Sequence, residues 1–332
     1  MGKNKIVSVL TGEKRVYFVF IVIFLIMSVF APNFFNAYNI GALLGTVMLN
    51  GIVVIGFTIV LICGHLDLST VAIINMSGNL TLFLVKATGS FFIGITVAVL
   101  AGIAIGLVNG FLVTKARINS FIATLGMSTL LQGLVTYSNN AATRSIRNYT
   151  FTEFLDKRPL PFLPNRAIVA IVIVLIMFLF MSRTAVGKNF YLVGGNVEAA
   201  WYAGLNTNRY LTAAFMFNGA FAAFGGAIYS CYMASAMADI GAQGISPLNT
   251  LIAASVLGGA SLSGGRGDVL QSFFGVVTLT TLYNGLTCFH LGYEMQIFIN
   301  GVVLVLVVLI EAIGEYRRNK LIGSKSDLFQ IS

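Results

Sequence analysis

The sequence predicts an all-α protein, a polytopic bundle of about ten transmembrane helices, on three observations. Of its 332 residues 57% are hydrophobic and only 9% charged, with a mean hydropathy of +0.90, whereas soluble domains carry roughly 25% charged residues. Runs free of Asp, Glu, Lys and Arg extend over Val16–Leu66, Ala87–Thr114, Ile118–Thr143, Tyr210–Ala238 and Val269–Tyr293, and about 20 mainly apolar residues suffice to cross the hydrocarbon. Stretches such as VYFVFIVIFLIMSVF are apolar on every side, which excludes the alternation of a transmembrane β-barrel strand.

In chain order the expected crossings are 16–31, 41–62, 67–85, 90–114, 118–139, 167–182, 208–233, 246–260, 269–288 and 295–313. The first follows Lys3, Lys5, Lys14 and Arg15 in the manner of a signal peptide. It is longer than a usual h-region, lacks an A-x-A site and is followed by further apolar segments, so it reads as an uncleaved first crossing. The chain is read as one transmembrane domain over 1–332, with tails at 1–15 and 315–332 on the cytoplasmic side of a multi-pass membrane protein. With both termini inside, fourteen Lys and Arg fall inside and six outside, the bias that sets orientation. Five of the six lie in one long loop, Asn140–Arg166, and long loops translocate largely regardless of charge. The formal charge of +9 sits in short loops and at the termini, which suits anionic lipid headgroups and not nucleic acid. Cys63, Cys231 and Cys288, and His65 and His290, have no ligand-like spacing; small-residue packing explains the cysteines, and no metal site is expected.

Within the spans, Gly102, Gly106 and Gly110 recur every fourth residue and mark a face for close helix packing. Amides in apolar segments must find a partner or line a wet cavity; these are Asn50, Asn75, Asn79, Asn109, Gln132, Asn218 and Asn284. Asn75 and Asn79 share one helix face. Each amide alone is explained by interhelical hydrogen bonding, while the set as a pathway lining suits a polyhydroxylated solute, whose hydroxyls donate and accept. Asp67, in CGHLDLST, joins the candidate pathway set, with capping of the following helix as the competing role. The glycine cluster LGGASLSGGRG (Leu257–Gly267) lacks G-x-x-x-x-G-K-[ST] and a surrounding βαβ unit, so it is not a nucleotide loop.

Between the sixth and seventh crossings lies GGNVEAAWYAGLN. Asn196 is an N-cap residue, Glu198 complements the positive helix end, Ala199, Ala200 and Ala203 are good helix formers, and Gly204 is a stop. A helix of about two turns is expected outside the lipid. This EAA segment with Gly204 resembles the coupling-helix signature of bacterial ABC importer permeases. GLVNGFLVTKARINSFIATLG (106–126), SRTAVGKNFYLVGGNVEAAWYAGLN (182–206), IAASVLGGASLSGGRG (252–267) and NGL (284–286) resemble the monosaccharide branch, of ribose, arabinose, xylose and autoinducer-2 type, over nearly the whole chain.

The resemblance implies an ABC importer permease fold with a cytoplasmic coupling helix. Two permease chains, identical or not, would form the pathway; two ATPase subunits carrying ATP and Mg would dock at Asn196, Glu198, Ala199, Ala200 and Gly204; a periplasmic binding protein would deliver the sugar. The chain itself would do no bond chemistry and hold no cofactor. It departs from the resemblance where relatives read GGIDLSVG and this chain reads Gly64, His65, Leu66, Asp67, Leu68, Ser69, Thr70, Val71, and where they read ELDA and this chain reads Leu248, Asn249, Thr250, Leu251. Which solute is carried stays open. An ion-coupled secondary transporter is the alternative from another class, disfavoured by the scarcity of intramembrane carboxylates; an amino-acid or nucleoside permease of the same superfamily is a third reading, and a membrane scaffold without transport a fourth.

Overall fold

The computed structural model describes residues 15–160, 163–237, 247–292, 294–309 and 312–313. Residues 1–14 and 315–332 of the two expected tails lie outside the described residues, as do Lys3, Lys5, Lys14, Arg317, Arg318, Lys320 and Lys325 of the charge count. The helices are α1 (Arg15–Phe30), α2 (Ala37–Ile62), α3 (Thr70–Thr88), α4 (Phe91–Thr114), α5 (Ser120–Asn139), α6 (Thr150–Asp156), α7 (Asn165–Arg183), α8 (Ala185–Gly195), α9 (Val197–Tyr202), α10 (Thr207–Met233), α11 (Pro247–Leu257), α12 (Val269–Cys288) and α13 (Glu294–Leu309). Two short strands, β1 (Arg144–Ser145) and β2 (Ser235–Ala236), pair antiparallel.

Each of the ten expected apolar segments folds as a helix. Five of them, α2, α3, α4, α7 and α10, are long and apolar enough by length and composition to cross a membrane. The segment expected over 246–260 is helical only across Pro247–Leu257; eleven residues rise about 16 Å, roughly half the hydrocarbon core. The helix expected from Asp67 starts at Thr70, with Ser69 as its N-cap residue. The protein is a multi-pass helical membrane protein.

α2 is the axis of the bundle, almost wholly buried from Val47 to Ile62. α10, α12 and α7 pack around it, and α3 and α4 pack on α10. The glycine stripe of α4 faces α10 at backbone distance. A Cβ on Gly102 or Gly106 would lie 2.3 Å from the carbonyl oxygen of Gly219 or Phe215, and one on Gly219 would lie 2.1 Å from that of Gly102. Large apolar side chains on the outer faces of α1, α4 and α7, such as Val29, Leu100 and Ile176, are exposed, as expected where the solvent is lipid and not water.

The two ends of the bundle differ. At one end Tyr17 of α1 packs edge-on against Phe274 of α12 at 4.7 Å, Gly265 N–H donates to the Ile62 carbonyl at 2.8 Å, Thr114 of α4 meets Thr212 of α10, and Asn189 of α8 donates to the Tyr210 hydroxyl at 2.7 Å. α8 and α9 therefore sit with the starts of α1, α10 and α12 and the ends of α2 and α4. α6 and the strand pair cover the opposite end, where Thr152 donates to the Tyr232 carbonyl at 2.7 Å and buried Arg166 bonds Asp156 and the Tyr232 hydroxyl.

Gly106→Val should lower the melting temperature of the detergent-solubilised chain and its membrane yield, since the added branch must separate α4 from α10. Overpacking of this kind costs about 1–3 kcal/mol or more; an unchanged melting curve would show that the two backbones do not touch.

Candidate functional site

α9 is defined by local chemistry at both ends. Asn196, in extended conformation, accepts the Ala199 N–H at 2.9 Å, and Glu198 lies in the first turn. At the other end Gly204 takes φ +83°. Its N–H donates to Trp201 O at 2.9 Å while Leu205 N–H reaches back to Ala200 O at 3.0 Å. This is a Schellman stop, in which a left-handed glycine lets the last carbonyls find partners. Ala200 faces the body and is buried; Glu198, Ala199, Trp201 and Tyr202 are exposed. Trp201, the only tryptophan in the chain, packs edge-on with Tyr202 at 5.1 Å. These two rings were not singled out by the sequence, although a lone Trp beside a capped helix was a visible signal.

The seat of α9 is made of backbone. A Cβ on Gly194, at the end of α8, would lie 1.8 Å from Ile62 O; one on Gly264 would lie 2.6 Å from Gly194 O and 2.8 Å from Gly64 Cα; one on Gly265 would lie 2.6 Å from Gly195 Cα. The glycines of LGGASLSGGRG thus join the α8–α9 corner to the end of α2. Gly64, Gly264 and Gly265 also have φ near +75°, at +77°, +82° and +72°, which β-carbons disfavour.

Beside this seat, the connector between α2 and α3 carries a buried polar cluster. Asp67 Oδ1 accepts the Ser69 N–H and hydroxyl at 2.9 and 2.5 Å, and Oδ2 accepts from Asn218 of α10 at 2.9 Å. Asn218 also donates to Thr70 Oγ1, Asn109 of α4 donates to Ser69 Oγ at 2.9 Å, and Leu68 N–H donates to Thr124 Oγ1 of α5 at 3.0 Å. Asp67 therefore holds Ser69 rather than bonding a first-turn N–H of α3. Burial raises its carboxyl above the usual range, opposed by the hydrogen bonds from Ser69, Asn218 and Asn109, and burial lowers the imidazole of neighbouring His65.

The remaining amides fall into two places. Asn75 donates to Gln132 of α5 at 3.1 Å, and Asn79 donates to Asn75 O and Met237 O at 2.9 and 2.8 Å. Asn139 of α5 donates to Asn79 Oδ1 and is itself held by Arg144 at 2.6 Å. Gln132, Thr129, Thr136 and Tyr137 line an open groove of about 1020 Å³ between α3, α5 and α11. Asn50 and Asn284 instead line a cavity of about 370 Å³ among α2, α10, α11, α12 and α13. Asn284 exchanges two amide bonds with Asn39, at 2.8 and 2.7 Å, whereas Asn50 Oδ1 is buried with no partner among the described residues. The expected pathway residues are thus split three ways: Asp67, Asn109 and Asn218 near α9; Gln132 on the groove with Asn75 and Asn79 buried behind it; Asn50 and Asn284 in the cavity. Departure from the resemblance at Thr250 is placed too, since Thr250 lines that cavity.

Among known proteins, the profile of a family described as "Branched-chain amino acid transport system / permease component" matches residues 39–308. The chain is 34% identical to the L-arabinose ABC transporter permease protein of Azospirillum brasilense, over 94% of this chain and 90% of the relative. It is 32% identical to the ribose import permease protein of Bacillus subtilis (strain 168), over 91% and 96%, and 30% identical to that of Escherichia coli (strain K12), over 90% and 93%. No solved structure matches the chain.

Asn196→Ala should remove the cap of α9 at a cost of about 1 kcal/mol, seen as faster amide hydrogen exchange confined to residues 197–202. Equal exchange in both proteins would show that α9 does not depend on Asn196.

Proposed function

The chain belongs to that permease family, and from this premise we propose that it is the membrane-spanning subunit of an ABC importer for a neutral sugar, driven by separate ATPase subunits that dock on α9. The observation that carries the proposal is α9 itself: a short helix capped at both ends, presenting Glu198, Ala199, Trp201 and Tyr202 to the outside while its corner is fused by glycine backbone to the central helix. A connector of this size has no need of such a seat. Closure of the ATPases would push α9, and through the Gly194 contact the end of α2, so shifting the bundle between two states. ATP and Mg belong to the partner chains.

In this reading α9 and both termini face the cytoplasm of a bacterial inner membrane, supported by the fourteen-to-six charge split and by α1 starting at the α9 end. A second permease chain covers the groove on α5, whose open side exposes Leu125, Leu130 and Leu134 beside the polar Gln132 and Thr136. A secreted binding protein delivers the solute at the opposite end. The relatives named for L-arabinose and ribose support a monosaccharide. An amino acid would bring two charges into a pathway whose amides and hydroxyls are neutral, which is unfavourable without counter-charges.

Gly204→Asp places a side chain and a negative charge at a left-handed position, φ +83°, beside the negative end of the helix, and Glu198→Lys reverses the charge at the helix start. Each should abolish uptake of labelled sugar in cells and reduce co-purification with the ATPase, without loss of the chain from the membrane. Normal uptake with both substitutions, or uptake of labelled amino acids but no sugar by the wild type, would refute the assignment.

A further inference from the structure

The polar cavity among α2, α10, α12 and α13 belongs to one chain and not to the groove on α5. We propose that it is a solute chamber for one neutral monosaccharide, entered from the end opposite α9; the inference rests on the sugar-importer reading above. Its walls are two facing ladders. Thr280, Asn284 and Thr287 recur at i, i+4 and i+7 on α12, and Thr46 and Asn50 at i and i+4 on α2, so each set shares a helix face.

Two buried atoms in these ladders have no hydrogen-bond partner among the described residues, Asn50 Oδ1 and Thr280 Oγ1, and their residues are only 6% and 5% exposed. Buried polar groups in a folded chain are nearly always satisfied. Both residues line the cavity, and rotation of either side chain would bring its oxygen to the cavity surface, where a polyol supplies hydroxyls that both donate and accept. The volume, about 370 Å³, lies at the small end of the range of roughly 300–1,000 Å³ for ligand pockets, which suits a single small ring. Tyr283 commits its hydroxyl to Asn300, so it meets the cavity with its ring, an apolar surface for the C–H face of a sugar.

Charge is kept at the mouth. A second hollow of about 490 Å³ shares Ala42, Thr46 and Tyr229 with the chamber and carries Arg158, Arg166 and Asp156. Arg166 and Asp156 neutralise each other, which leaves Arg158 as the charge of that hollow, and among the described residues none that lines the chamber is charged. A phosphate or carboxylate on the sugar would lose its hydration there without gaining a counter-charge. The chamber therefore selects neutral sugars independently of any binding protein.

The test uses the assembled importer and labelled D-ribose, L-arabinose and D-xylose as probes. Asn50→Leu and Thr280→Val should each reduce uptake of whichever sugar the wild type carries at least tenfold, with membrane content and ATPase co-purification retained. Uptake within twofold of wild type in both would overturn the chamber while leaving the importer reading intact. A wild type that carries none of the three sugars overturns the importer reading and the chamber with it. If either variant fails to reach the membrane, Ala42→Cys at the rim, in a Cys288→Ser background, decides. Its alkylation in the solubilised complex should be slowed at least fivefold by the neutral sugar that the wild type carries and not by D-ribose 5-phosphate. Equal rates with and without the sugar, or equal protection by the phosphate, overturn the proposal.

Discussion

The contact on which the molecule turns is main chain against main chain, where the end of α8 lies across the end of α2. With 1.8 Å between a Gly194 Cβ and Ile62 O, no other residue fits without moving one helix. The same holds for Gly264 against Gly64 and Gly265 against Gly195. Three stretches separated by 130 and 70 residues, around Gly64, Gly194 and Gly264, are thereby drawn to one point by backbone contact. Side chains can change rotamer and absorb a displacement; packed backbone cannot, and protein interiors have low compressibility. In the proposed importer, a push on α9 would therefore be delivered to α2 with little loss.

α2 is also the helix that lines the polar cavity, through Thr46 and Asn50, about three to four turns from Ile62 by helix geometry. The cavity and the α9 seat thus share one rigid element. Around it, the α4–α10 crossing is built from Gly102, Gly106 and Gly219 at carbonyl distance, a surface with few interdigitating side chains to hold it in one register. What pins the register is polar: Asn218 and Asn109 on the Asp67 connector, and Thr114 with Thr212. Interhelical hydrogen bonds of this kind measure about 0.6 kcal/mol on average in a membrane protein. They are strong enough to specify an arrangement and weak enough to exchange when α2 moves.

How much of this was legible in the sequence follows from range. α9 was read almost residue by residue, because Asn196 and Gly204 act on backbone groups within four positions of themselves. The apolar helices were legible because lipid imposes hydrophobicity on every face. α8 was not, although Thr184 caps it and accepts from Gly187 N–H at 2.9 Å; its eleven residues were absorbed into the connection after α7. The half-length of α11 was hidden because its apolar composition continues through Gly258 and Gly259, which already form a turn against Gln271 and Ser272 of α12. The amides were recognised as a set, yet their division into bracing, groove and cavity depends on partners up to 245 positions away, as for Asn39 and Asn284. Thr280, one of the two unpartnered atoms' owners, was passed over because threonine in a membrane helix usually bonds its own backbone, as Thr278 and Thr281 do here at 2.7 Å.

The source of energy for such a body can be argued from the same geometry. A carrier coupled to an ion gradient needs an ionisable group or an ion site in the path of its solute. Among the described residues lining the cavity and the groove, none is charged. Asp67, the buried carboxylate, is fully occupied by Ser69 and Asn218 at the connector and lines neither. None of these described residues can therefore register a proton or a sodium ion and convert its movement into a change of shape. The exposed, rigidly seated part of the molecule is at the other end of α2. In the proposed importer, work would enter at that end, where a partner docked on α9 could push.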